Sequence, residues 1–122
     1  MRFLDLFRNW KDVVEYAAGT VICSEGDPAD VMYVVISGEV ELSLRGQLLG
    51  KEEAGGIFGE MAIVDAATTS ATAVAVTDVK LARLEHDQFK GFISKNSEFS
   101  LHVMAVLANR LRAVDQYIKA QL

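Results

Sequence analysis

Short apolar runs separated by glycine-marked breaks occupy most of the first two-thirds of the chain. Residues 13–16 and 20–24 read as two strands joined by a turn at Ala17, Ala18 and Gly19, and the segment EGDPAD that follows is a strong turn signal. Residues 31–36 (VMYVVI) form an unbroken apolar run, as a central strand requires. Ser37 and Gly38 interrupt it. Residues 39–44 (EVELSL) then alternate polar and apolar, which predicts a strand with one solvated face. Arg45-Gly46 supplies a two-residue hairpin turn into a strand over 47–50, and residues 79–84 add another. Many short strands at this spacing predict an antiparallel sandwich or barrel.

The two ends follow a helical period. Phe3, Leu4, Leu6, Phe7 and Trp10 share one face of a short N-terminal helix or helical turn that packs over one end of the core. Residues 86–94 read as a helix with Phe89, Phe92 and Ile93 on one side. From Glu98 a long helix carries Met104, Leu107, Leu111, Val114 and Ile118 at intervals of three and four, continuing to Leu122. The first half of this stripe fits either the chain's own barrel or a second copy of the same helix. Toward Ile118 the second copy is the better fit, because little chain remains to cover so apolar a stripe.

Candidate chemistry concentrates in residues 55–75 (GGIFGEMAIVDAATTSATAVA). A helix starting near Glu60 leaves its first N–H groups without intrahelical partners beside Gly59, and these donors suit an anion such as phosphate. Residues 68–75 begin polar and then alternate small hydroxylated and apolar positions, a strand whose hydroxyls face a polar pocket. A small phosphorylated molecule fits between such a helix and such a strand.

Composition narrows the classes. Twelve basic against seventeen acidic residues give a net charge of −5, which argues against a phosphate-backbone footprint and direct nucleic-acid binding. The single cysteine, Cys23, reads as a small buried hydrophobe on a strand and fits a reducing cytoplasm. No signal-peptide core or bilayer-length apolar run is present, so the expected location is cytoplasmic, without membrane contact. His86 and His102 lack metal-ligand spacing, and neither a nucleophile motif nor a Walker-type loop occurs, so catalysis and resident cofactors are not expected.

With these residues in place, the chain resembles the cyclic-nucleotide-binding domain: the β-roll of catabolite activator proteins, protein kinase A regulatory subunits and cyclic-nucleotide-gated channels. The segments GTVI (19–22), EGD (25–27), MYVV (32–35) and SGEV (37–40) match the family's first strands and glycine turns. FGEMA (58–62) matches its phosphate-binding cassette, and SATA (70–73) the strand after it. The resemblance implies an eight-stranded antiparallel β-roll (jelly roll) with a short N-terminal helix, a cassette helix and two C-terminal helices. It implies one domain over residues 1–122, divided into an N-terminal segment (1–11), the β-roll (12–85) and the C-terminal helices (86–122).

The resemblance also assigns a site: Phe58, Gly59, Glu60, Met61 and Ala62 of the cassette, then Thr69, Ser70, Ala71 and Thr72. Glu60 would bind the ribose 2′-hydroxyl. The N–H groups of Gly59, Met61 and Ala62 would face the cyclic phosphate, with Thr72 near phosphate and purine. One departure stands out. Nucleotide-binding members carry Pro-Arg where this chain has Thr68 and Thr69. Losing that charge-assisted hydrogen bond weakens binding by about 2–3 kcal/mol. Arg110 aligns with a helix position that reaches the nucleotide in catabolite activator proteins and is the substitute cation; otherwise it is a solvated charge. The expectation is a sensor for cAMP in preference to cGMP, a homodimer through the final helix, and output to an unknown protein partner. The competing reading is a retired pocket that serves as an interaction scaffold.

Overall fold

A computed structural model describes residues 3–27, 31–59 and 71–121. Eight strands make two four-stranded antiparallel sheets, as the β-roll reading expects. They are β1 (Val13–Tyr16), β2 (Val21–Cys23), β3 (Val31–Ser37), β4 (Val40–Leu44), β5 (Gln47–Glu52), β6 (Ile57–Phe58), β7 (Thr72–Ala75) and β8 (Val79–Glu85). One sheet has the order β1-β8-β3-β6 and the other β2-β7-β4-β5. A 3-10 helix (Phe3–Phe7) precedes them, and α1 (His86–Lys95) and α2 (Ser97–Gln121) follow.

The alternation along β3 and β8 divides the core. Val35, Val79 and Leu81 turn inward with Val40, Leu42, Phe58, Ala73 and Ala75, filling the space between the sheets. Met32, Val34, Ala82 and Leu84 turn the other way, where Phe7, Phe89, Phe99 and Val103 cover them. The N-terminal residues therefore cap that outer cluster, as their spacing predicts, with Phe3, Leu4, Leu6 and Trp10 packed against it. The Trp10 indole N–H donates to the Arg83 carbonyl (2.8 Å) and fixes this cap to β8.

Local chemistry sets the element ends. Arg45 and Gly46 both have left-handed φ (51° and 79°), the twist that a two-residue hairpin needs between β4 and β5. Gln88 Oε1 accepts from the Glu85 N–H (2.8 Å) at the start of α1. Asn96 Oδ1 accepts from the Phe99 N–H (2.9 Å) and caps the start of α2.

Three differences from the sequence reading bear on function. β5 runs to Glu52 rather than Gly50, because β4 extends to Val40 and pairs that residue with Glu52. The two-residue strand β6 pairs with Tyr33 and Val34, adding an edge to β3 that two apolar residues alone did not announce. On α2, Leu107 packs against the chain's own outer core, so the predicted stripe is not a single exposed seam. The exposed apolar row is instead Leu101 (65%), Met104 (61%), Leu111 (70%) and Ile118 (52%). The side chain of Val114, and Leu122, lie outside the described residues, as does the helix expected from Glu60. No described helix is long and apolar enough to cross a membrane.

Phe99 is fully buried and stacks on Phe92 and Phe3, with ring centroids 4.8 and 5.7 Å away. Phe99→Ala should lower unfolding stability by about 3–5 kcal/mol, read from the urea midpoint at unchanged m-value.

Candidate functional site

Gly59 follows β6 directly and takes a left-handed φ of 80°. A Cβ placed there would stand 3.1 Å from the Val31 carbonyl oxygen, so backbone conformation and crowding both favour glycine. Just before it, Phe58 is buried inside the roll and stacks on Tyr33 (4.9 Å). Phe58 and Gly59 form one wall of a narrow cleft of about 10 Å³ whose other walls are Cys23 of β2, Leu42 of β4, Ala71, Ala73 and Arg110 of α2.

Four of the sequence-predicted residues thus converge on one place: Phe58, Gly59, Ala71 and Arg110. Glu60, Met61, Ala62, Thr69 and Ser70 lie outside the described residues. Thr72 is placed differently from the expectation. Adjacent strand residues point to opposite faces, so with Ala71 and Ala73 lining the cleft, Thr72 turns away from it. Its hydroxyl accepts from the Glu25 N–H (3.2 Å), and Glu25 Oε1 in turn accepts from the Arg45 N–H (2.7 Å). Thr72 therefore ties β7 to the turn after β2, and the Glu25 side chain ties that turn to the β4–β5 hairpin.

Arg110 is not a solvated charge. Its side chain is 14% exposed. Nη2 donates to the Ile57 carbonyl (2.7 Å) and to Glu52 Oε1 (3.1 Å). The guanidinium stands between the Gly59 cleft and a second cleft of about 230 Å³, lined by Leu42, Leu49, Glu52, Asn109 and Ala113. Glu52 is a residue that sequence reasoning missed. Burial pushes its carboxyl above the usual range, and Arg110 and then His102 pull it partly back. Its signal was the hairpin register: a two-residue turn at Arg45-Gly46 carries the β4 partner toward Glu52.

Two further side chains complete the surroundings. His102 Nε2 donates to the Gly55 carbonyl (2.5 Å), while its ring stacks on Phe3 (3.8 Å between centroids). A carbonyl can only accept, which fixes the proton on Nε2. Half-buried on β2, Cys23 has its thiol pushed up by burial, so it stays neutral against the cleft. A wider, open cleft of about 350 Å³ at Glu15, Asp78 and Lys80 includes none of the predicted site residues.

Comparison with known proteins bears on this arrangement. A family described as the cyclic nucleotide-binding domain matches residues 13–96. The chain is 31% identical over 104 residues to a CRP-like cAMP-activated global transcriptional regulator of Mycobacterium tuberculosis, covering 81% of this chain and 46% of that protein. It is 41% identical over 81 residues to a cAMP-dependent protein kinase regulatory subunit of Aspergillus niger, covering 65% of this chain and 20% of the relative. Among solved structures, the catabolite activator protein of Thermus thermophilus superposes with a TM-score of 0.77 at 31% identity, covering 98% of this chain and 58% of that one. The chain thus spans less than half the length of these two curated relatives.

The Arg110–Glu52 pair makes a test that needs no ligand. Arg110→Gln leaves a half-buried carboxylate without its cation and should lower stability by about 1–3 kcal/mol near pH 7.5. The folded-state pKa of Glu52, already raised, rises further without Arg110, so the folded chain then binds the proton more readily than the unfolded chain. The deficit should therefore shrink as pH falls from neutral toward about 4, the ordinary carboxyl value. Urea midpoints of both chains across that range measure it.

Proposed function

This chain belongs to the cyclic nucleotide-binding domain family, and we propose that it is a cytoplasmic cyclic-nucleotide sensor. It takes cAMP in preference to cGMP, with weaker affinity than members that carry arginine where this chain has Thr69. The observation that carries the reading is the convergence of Gly59, Ala71 and Arg110 on one cleft. The names of two of the relatives above, both cAMP-dependent regulators, support a cyclic nucleotide as the ligand class. By the family pattern, Glu60 binds the ribose, and the N–H groups of Gly59, Met61 and Ala62 face the phosphate. Thr69 and Ser70 offer neutral hydroxyl donors there, and Arg110 offers the charge.

Occupancy reaches α2 through the short strand before the cassette. Ile57 stands two residues before Gly59 and gives its carbonyl to Arg110, and Gly55 gives its carbonyl to His102. A ligand that binds one arrangement of this corner better than another shifts the population of α2 positions. The exposed row Leu101, Met104, Leu111 and Ile118 supports pairing of α2 with a second copy, and a protein partner then reads the state of the pair. With a net charge of −5, the segment itself is not a nucleic-acid-binding surface.

The opposing reading, a ligand-free interaction scaffold, takes its support from Thr68 and Thr69 at the family's Pro-Arg positions. Titration calorimetry with cAMP and cGMP to millimolar concentration decides between them. Heat, with a preference for cAMP, is expected; silence with both nucleotides and no thermal stabilisation leaves the scaffold. If the pocket binds, Thr69→Arg should tighten cAMP about tenfold or more, and Glu60→Ala should weaken it with the fold intact. For assembly, light scattering at tens of micromolar should show a dimer that Met104→Glu with Leu111→Glu converts to monomer. A monomeric unmodified chain would defeat the pairing.

A further inference from the structure

Glu52 stands in an unusual place for an acid. Its side chain is only 22% exposed. One oxygen accepts from Arg110 at 3.1 Å, and the other packs so closely on Gly56 that a Cβ there would collide with it. Among the described residues, the remaining charged groups near it are few. His102 faces it from α2, Glu53 follows it in the β5–β6 turn, and Lys51 beside it on β5 leans toward Glu39 at 3.7 Å. Arg110 also lines the cleft at Gly59 and Ala71, so one guanidinium serves both the carboxylate and the place assigned to an anionic ligand. Glu52 and Ile57 are not its only contacts.

We propose that Glu52 is a built-in counter-anion that sets the affinity of the Gly59 cleft for an anionic ligand: by binding Arg110 it withholds the guanidinium's charge from that ligand, and protonation of Glu52 releases it. The inference rests on the nucleotide-binding reading above and makes Glu52 a positioning residue that acts through Arg110. A guanidinium paired to a carboxylate presents almost no net charge at the distance of a second anion, and the carboxylate itself repels that anion. In the partly dry wall between the two clefts, this cancellation is screened less than at the surface. Neutral glutamine keeps the shape and a hydrogen-bonding oxygen for Arg110 but removes the negative charge. The sign for pH follows. A cyclic phosphodiester stays ionised through mild acid, whereas burial makes the Glu52 carboxyl take up a proton more readily than an ordinary one, so affinity should rise as pH falls.

The test is cAMP binding by calorimetry from pH 8 to pH 5, with the whole chain and with Glu52→Gln, Glu52→Gln/Arg110→Gln and His102→Gln. At pH 7.5 Glu52→Gln should bind about tenfold more tightly than the unmodified chain, an effect on the order of one charge-assisted hydrogen bond. The unmodified chain should approach that affinity as pH falls, and Glu52→Gln should stay flat. In the double variant the gain should vanish. His102→Gln, which removes the neighbouring imidazole, must retain the pH dependence. If the unmodified chain binds and Glu52→Gln binds no better, the proposal fails while the sensor reading stands. The same holds if the pH dependence survives in Glu52→Gln or disappears in His102→Gln. If neither chain binds at millimolar cAMP, both readings fall, whereas binding by Glu52→Gln alone would uphold the counter-anion and defeat the sensor reading for the unmodified chain. A thermal melt verifies that Glu52→Gln is folded; if it is not, the pH series of the unmodified chain and of His102→Gln decides on its own.

Discussion

Val34 and Val35 are neighbours on β3, and neither leaves any surface to solvent. Consecutive strand residues point to opposite faces, so this is possible only where both sides of the sheet are covered. The inner side is covered by the other sheet, the outer side by the aromatic cluster of Phe7, Phe89 and Phe99. β3 and β8 therefore belong to two cores at once. Moving the helices disturbs the same strands that, through β6, present Gly59. A jelly roll open to water on its outer face would have no such dependence.

That shared sheet is reinforced by polar bonds at one corner. The Gly55 and Ile57 carbonyls, either side of Gly56 between β5 and the cassette, are both spent on α2 side chains. Val35 bonds to the same turn through its N–H and its carbonyl. Backbone groups in so enclosed a corner must find partners, and here α2 supplies some of them. The helix is thus part of the hydrogen-bonding economy of the turn that leads to the cleft, and no contiguous wire of side chains is needed to connect them.

Most of this fold was legible because its signals are local and redundant. The alternation of residues 39–44, the Arg45-Gly46 turn and the heptad-like spacing of the last helix each survive in the structure as an element. What sequence could not give was orientation. Leu107 and Leu111 are alike in the stripe, yet one packs on the aromatic cluster and the other faces solvent, a matter of about one helical turn. Thr72 looked like a pocket hydroxyl because the run around it is small and polar, but strand parity, set by Ala73 facing inward, turns it outward. Arg110 was placed by resemblance, while its partner Glu52 stayed hidden in an acidic pair that reads as surface. A charge fifty-eight residues away in sequence becomes a neighbour only through the closed roll.

The same distribution of contacts divides α2 into two unequally held halves. Its first half is held by Phe99, Val103, Val106 and Leu107 in the outer core, and each large apolar side chain buried there contributes about 1.5–3 kcal/mol. Beyond Leu107, Arg110 bonds to the roll and Asn109 and Ala113 flank the second cleft, and residues 115–120 that are described in full are exposed. A partly buried guanidinium bonded to a carboxylate and a carbonyl is worth about 1–3 kcal/mol, comparable to what a ligand's differential affinity supplies. Displacing the first half would mean opening an aromatic core. Displacing the outer half of the helix would instead mean breaking the Arg110 bonds to Glu52 and Ile57.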